Sequence, residues 1–187
     1  MDIECVSTQE ALANALIELS KTMPFNRITV RSIVTKANVS IRSFYYHFED
    51  KNDLVRWIFA RANRKTYDEY FVPTHDFRVF GRQSVASMLE NSDYNRNLME
   101  NTHGRYALRV MVRKQMYDLF LGHVRDELGG APVDKEIDFL LSYYMSFCSD
   151  ALIDWFLGGM EIPADTLVRL TSDEMMPARL RPFLLPG

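Results

Sequence analysis

The 187-residue chain is predicted to be all-α, with a three-helix helix-turn-helix domain ahead of a larger helical domain. Three observations carry that prediction. Apolar residues recur every three or four positions along most of the sequence, and no stretch alternates polar with apolar as a half-buried strand does. Breakers stand where helices would end or begin: Pro24, Pro73, Gly129-Gly130, Pro132, Gly158-Gly159 and Pro163. Residues 28 to 54 hold two short helical patterns around a tight turn, then an aromatic-rich helix end and a freshly capped longer helix.

The first helix is expected over residues 8 to 22. Ser7 caps it with Glu10 three residues on, Leu12, Leu16, Leu19 and Met23 make one apolar face, and Pro24 ends it. Phe25 and Ile28 close a small core. Thr29 caps the second helix, in which Ile33 and Val34 are apolar and Ala37 is small enough for another helix to cross closely. Asn38 takes the turn, because asparagine is the residue after glycine that best tolerates a left-handed backbone, and Val39 plugs it. Ser40 caps a third helix from Ile41, held down by Phe44 and Phe48. Asp50 and Asp53 open a fourth helix over residues 51 to 71, with Leu54, Ile58 and Ala62 on one side. An amino-terminal domain of residues 1 to 50 and a carboxy-terminal domain of residues 51 to 187 follow, with helix 51 to 71 connecting them.

Packing alone does not ask for the composition of the third helix. Arg42, Ser43, Tyr45, Tyr46 and His47 fall within it, with Ser40 and Lys51 on either side. Such donors suit the major groove of DNA, where arginine reads guanine through two hydrogen bonds and hydroxyls reach bases or phosphates. The free amides that open the fourth helix, together with Lys51, suit a phosphate. Charge agrees when read locally. Ten Lys or Arg stand against Glu49, Asp50 and Asp53 between residues 21 and 65, so this window is +7 in a chain of net charge −3, and the remainder is −10.

These residues resemble the DNA-binding domain of the TetR family of bacterial transcriptional regulators. The resemblance covers residues 7 to 60 and rests on Thr29 with Ile33, on Ala37, Val39 and Ser40, on the run from Phe44 to Phe48, and on Lys51. Asn38 replaces the glycine usual in the family, and Ile41-Arg42 is an unusual start to the recognition helix. The resemblance implies Arg42, Ser43 and Tyr46 as base readers. It implies Thr29, Arg31, Tyr45, His47 and Lys51 as phosphate contacts, with Ser40 on the same face. It further implies an effector-responsive repressor that binds a palindromic operator in double-stranded DNA as a homodimer. The alternative is an activator controlled by a protein co-regulator, as in relatives that resemble dihydroxyacetone-kinase operon activators.

Helices are expected near residues 77 to 90, 93 to 101, 104 to 128, 133 to 157 and 163 to 175. The helix from 133 to 157 is apolar on so much of its circumference that it must bury two sides. Tyr144, Cys148, Ala151, Leu152 and Trp155 are the candidate dimer surface, since two subunits related by a two-fold axis read a palindrome that one short helix cannot. Tyr106, Met116, Phe120, Tyr143 and Phe147 belong to a set of thioethers and aromatics with two open readings: packed core, or the lining of an apolar effector pocket. Arg109, Arg113, Asp150 and Asp154 would be polar anchors of such a pocket, or else exposed helix charges.

No catalytic constellation is legible. Cys5 and Cys148 are far apart, the four histidines lack ligand-like spacing, and there is no Gly-x-Ser-x-Gly elbow or Gly-rich phosphate loop. An enzyme, a cofactor and a metal are therefore not expected. Cys148 reads as a small core residue, or with a distant histidine as a sensor. Two cysteines, no signal peptide and no long apolar run point to a soluble protein of a reducing cytoplasm without a membrane span.

Overall fold

A computed structural model of the chain describes residues 7–101 and 105–186; the side chains of residues 105–107 lie outside the described set. The fold is all-α, with no strand among the described residues. Among the described residues ten α-helices of four residues or more run in order: α1 Thr8–Ser20, α2 Val30–Ala37, α3 Ile41–His47, α4 Lys51–Thr66, α5 Phe77–Glu90, α6 Ser92–Asn101, α7 Arg105–Glu127, α8 Lys135–Leu157, α9 Ala164–Arg169 and α10 Arg181–Leu184. Their starts follow local chemistry. The Ser7 hydroxyl accepts from the Glu10 amide while the Glu10 carboxylate accepts from the Ser7 amide. Thr29 caps α2 with Ser32 in the reciprocal position, and Asp134 accepts from the amides of Glu136 and Ile137 at the start of α8.

Two helices end differently from the expectation. The pattern expected to run to residue 71 leaves α4 at Thr66 and continues as a π turn, Tyr67–Phe71, then a last turn, Val72–Thr74, closed by Pro73 and a left-handed His75 at φ 47°. The pattern near 163 to 175 likewise splits into α9 and a π turn, Leu170–Glu174. In each case the wider turn is closed by a bond to the fifth residue back, from the amide of Val72 to the Tyr67 carbonyl and from Met175 to Leu170.

The described residues fall into two compact units, one drawn from Met1–Ala60 and Asn91–Arg105, the other from Arg61–Glu90 and Tyr106–Gly187. In the first, α1 packs on α2, α3 and α6. Its core is built from Leu12, Leu16, Ile28, Ile33, Phe44 and Leu54, all fully buried. Leu98 and Met99 of α6 are buried in the same unit, and Tyr94 stacks on Phe59 at 6.3 Å.

The second unit is organised around Phe120 of α7. The rings of Tyr67, Phe71, Phe77 and Phe80 approach it edge-on at 5.0 to 5.7 Å, the arrangement favoured by the ring quadrupole. Tyr144 of α8 donates to the Thr171 carbonyl at 2.8 Å, and His123 of α7 shares a hydrogen bond of 2.8 Å with the Phe183 carbonyl of α10. Arg109 and Arg113 of α7 both pair with Asp150 of α8, and Arg109 also reaches Asp154. These four charges therefore bind one another across two helices. No helix of the described residues is long and apolar enough to cross a membrane.

Candidate nucleic-acid interface

The turn between α2 and α3 has the geometry that its sequence requires. Asn38 sits at φ 55°, ψ 43°, and the Val39 amide reaches back to the Val34 carbonyl at 3.1 Å, which closes α2. Ser40 then caps α3 by accepting from the Ser43 amide at 3.0 Å, and the two hydroxyls lie 2.8 Å apart. Phe44 and Phe48 are buried with their rings 5.8 Å apart, so the inner side of a seven-residue helix is held in the core. Its outer side is left in water. Tyr46 is 83% exposed, Tyr45 57% and Ile41 51%. His47 is half-buried with its ring 4.9 Å from that of Tyr46.

Arg42 and Arg31 are exposed, and neither has an intramolecular partner among the described residues. Thr29, though engaged with the Ser32 amide, is also exposed. An open groove of about 520 Å³ beside α2 is lined by Leu19, Thr29, Arg31, Ser32, Thr35 and Lys36, which offers two cations and three hydroxyls to an anion. The structure thus brings Thr29, Arg31, Ser40, Arg42, Ser43, Tyr45, Tyr46 and His47 onto the helix-turn-helix.

Lys51 is placed differently from the others. Its Nζ donates to the carbonyls of Phe25 and Ile28 at 2.8 and 2.7 Å and lies 4.4 Å from the centre of the Phe25 ring. Burial lowers its pKa from the ordinary value, against the pull of Asp50. Two of its three protons are therefore spent inside the chain, where the sequence pointed to a phosphate. Beside it, Asp50 accepts from the Asp53 amide at 2.8 Å and Asp53 from the Glu49 amide at 3.1 Å. Burial alone would raise the Asp50 carboxyl, but amide hydrogen bonds from Asp53 and Asn52 leave its pKa below the ordinary value.

A residue of this unit escaped the reading of the sequence. Asn97 of α6 donates to the carbonyls of Ser20 and Met23 at 2.6 and 2.8 Å and accepts from the Phe25 amide at 2.8 Å. Nothing near Asn97 in the sequence announces this, because its three partners lie 72 to 77 positions away.

The residues proposed for a pocket do not come together. Met116 and Phe120 are buried in the aromatic core of the second unit, while Tyr143 and Phe147 stand 65% and 39% exposed; the side chain of Tyr106 lies outside the described residues. For Met116 and Phe120 the packed-core reading holds. The proposed dimer stripe also turns inward. Tyr144 is buried, Cys148 packs against the aromatic core, and Ala151, Leu152 and Trp155 pack against Val85, Leu167 and Val168. Burial raises the Cys148 thiol to about 12, although its hydrogen bond with Tyr144 opposes the shift. The apolar face that α8 presents to water lies beside that stripe and consists of Phe139, Tyr143 and Phe147.

Comparison with known proteins agrees with this architecture. The model for bacterial regulatory proteins of the tetR family matches residues 13–58, and that for a transcriptional regulator C-terminal region matches residues 82–176. Fold and matches together define a helix-turn-helix transcriptional regulator. The chain belongs to the TetR family. Among solved structures it is similar to one described as the dihydroxyacetone kinase operon activator DhaS, with 17% identity and a TM-score of 0.63 over 95% of this chain and 98% of that one. It is also similar to the fatty acid degradation regulator FadR from Bacillus halodurans, with 11% identity and a TM-score of 0.59 over 91% and 95% of the two chains. At these identities the likeness establishes the fold. No curated protein matches the chain by sequence.

Proposed function

We propose that the protein is an effector-responsive repressor that reads a palindromic operator as a homodimer, with α3 of each copy in the major groove. One observation carries the reading: a helix of seven residues holds Phe44 and Phe48 in the core while leaving Arg42, Tyr45 and Tyr46 in water. Tyr45 also touches the Phe44 ring edge-on at 5.4 Å, but the outer part of both tyrosines and the unpaired Arg42 guanidinium are left over for a partner, and they suit base edges and sugar-phosphate. Arg42, Ser43 and Tyr46 read bases. Thr29, Arg31, Ser40, Tyr45 and His47 hold the backbone, with the groove beside α2 taking a phosphate. Lys51 braces the segment that leads into α2.

The homodimer forms on the outer face of α8. Phe139 and Tyr143 have ring centres 4.5 Å apart, Phe147 follows at the next turn, and all three are exposed in the single chain. This replaces the stripe from Tyr144 to Trp155, whose side chains are used within the subunit.

Selection of fragments from genomic DNA with the purified protein, followed by salt-titrated binding to whatever is enriched, tests the reading. Enrichment of an inverted repeat with steep salt dependence is the expected result. A stable dimer that enriches nothing would overturn it. The opposite sign of regulation, activation under a protein co-regulator, draws support from the likeness to a structure described as an operon activator. Its mark is operator affinity that appears only when the co-regulator is added.

A further inference from the structure

We propose that Asn97 is a positioning residue for DNA reading: its amide sets the segment Ser20 to Ile28, and through it the placement of α2 and α3. The inference rests on the DNA-binding role proposed above. The end of α1 leaves carbonyls to be satisfied. A helix leaves its last carbonyls without partners, and many helices solve this with a left-handed glycine. Here the residue after Ser20 is Lys21, in ordinary right-handed conformation, and the chain rolls on through turns in which the amides of Thr22 and Met23 both return to the Leu19 carbonyl. The carbonyls of Ser20 and Met23 must find donors elsewhere, and the side-chain amide of Asn97 supplies both. Its oxygen takes the Phe25 amide. Asn101, one turn on, donates to that same oxygen at 3.0 Å and to the Asn97 carbonyl at 3.1 Å, which fixes the rotamer and the orientation of the amide.

Only a side chain with one acceptor and two donors at this length satisfies all three groups. Aspartate would set an anion against two carbonyls, and leucine would leave three backbone groups unpaired. The other side of the segment is held by Lys51 through Phe25 and Ile28. The stretch that delivers the chain to Thr29 is thus gripped by α4 and by α6, and no glycine within it gives slack.

The test uses the full-length protein, with the enriched operator and a random-sequence duplex as probes. Asn97→Ala is expected to weaken operator binding about tenfold while changing random-duplex binding less than about twofold, because lost placement is felt where base contacts must register. Hydrogen exchange gives a readout that plain stabilisation would not move: operator binding protects the amides of residues 92 to 101 in the parent chain and not in the variant. Asn101→Ala, a milder change, should show the same selectivity with a loss of about threefold, and decides the matter if Asn97→Ala does not fold. Operator and random DNA weakened alike in whichever variant folds, parental affinity in Asn97→Ala, or protection of α6 that persists in the variant, would each overturn the proposal. A parent chain that binds no DNA would overturn the underlying DNA-binding reading as well, so the two failures are told apart by the parent.

Discussion

Helices α3 and α8 both carry aromatic rings into water, and they do so in opposite company. On α3 the exposed rings are two tyrosines beside Arg42, in a sequence window of charge +7. On α8 the exposed stripe is Phe139, Tyr143 and Phe147, and the nearest charges along the same helix, Asp150 and Asp154, are already paired with Arg109 and Arg113 of α7. Exposure alone does not say what a surface is for; the groups around the ring do. Tyrosine with arginine in a basic field fits a polyanion, whereas a stripe two turns long and rich in phenylalanine, beside charges already paired within the subunit, fits another protein surface.

The largest expected effect sharpens that contrast on the α8 side. Changing Tyr143 and Phe147 together to aspartate should weaken self-association by more than about a hundredfold, measured by sedimentation, because two central rings become like charges across a two-fold axis. A dimer that survives would break the comparison and move the interface elsewhere. On the α3 side, Arg42→Ala should cost about 1–3 kcal/mol in operator affinity and relax preference at one base position, read from a binding-site selection, with sedimentation unchanged. Lys51→Met tests where the basic surface stops. It is expected to cost about 1–2 kcal/mol in urea unfolding, since the Phe25 and Ile28 carbonyls lose their donor, with the salt slope of DNA binding preserved. A slope smaller by about one would return Lys51 to the phosphate contacts. The smallest change, Tyr46→Phe, should lower operator affinity by about 1 kcal/mol or less and leave stability alone, because the hydroxyl of so exposed a ring serves only the partner.

The first unit was readable where its determinants are local. Ser7 with Glu10, Thr29, Asn38, Ser40 and Asp50 each act on backbone groups within a few residues, and the helices begin and end as those residues imply. The α8 faces were not readable for a physical reason. Residues 139, 143 and 147 are as apolar as 144, 148, 151, 152 and 155, so hydrophobicity cannot say which stripe turns inward. That choice is made by distant chain: the Thr171 carbonyl that accepts from Tyr144, and the residues of α5 and α9 that pack against Trp155. The role of Asn97 was hidden in the same way, since an amide in a polar helix looks like solvent surface until the carbonyls it serves arrive from α1.

The discontinuity of the first unit also bears on synthesis. Chains leave the ribosome amino end first, at roughly 5–20 residues per second, and compact domains tend to fold as they emerge. A helix-turn-helix encoded wholly by the first 60 residues would be finished early. Here the carbonyls of Ser20 and Met23 wait for Asn97, by which time α4 and α5 have already emerged. The surface proposed to read DNA would therefore mature only after half the protein has been translated, and a nascent chain stopped short of residue 97 carries α3 without the Asn97 contacts to Ser20, Met23 and Phe25.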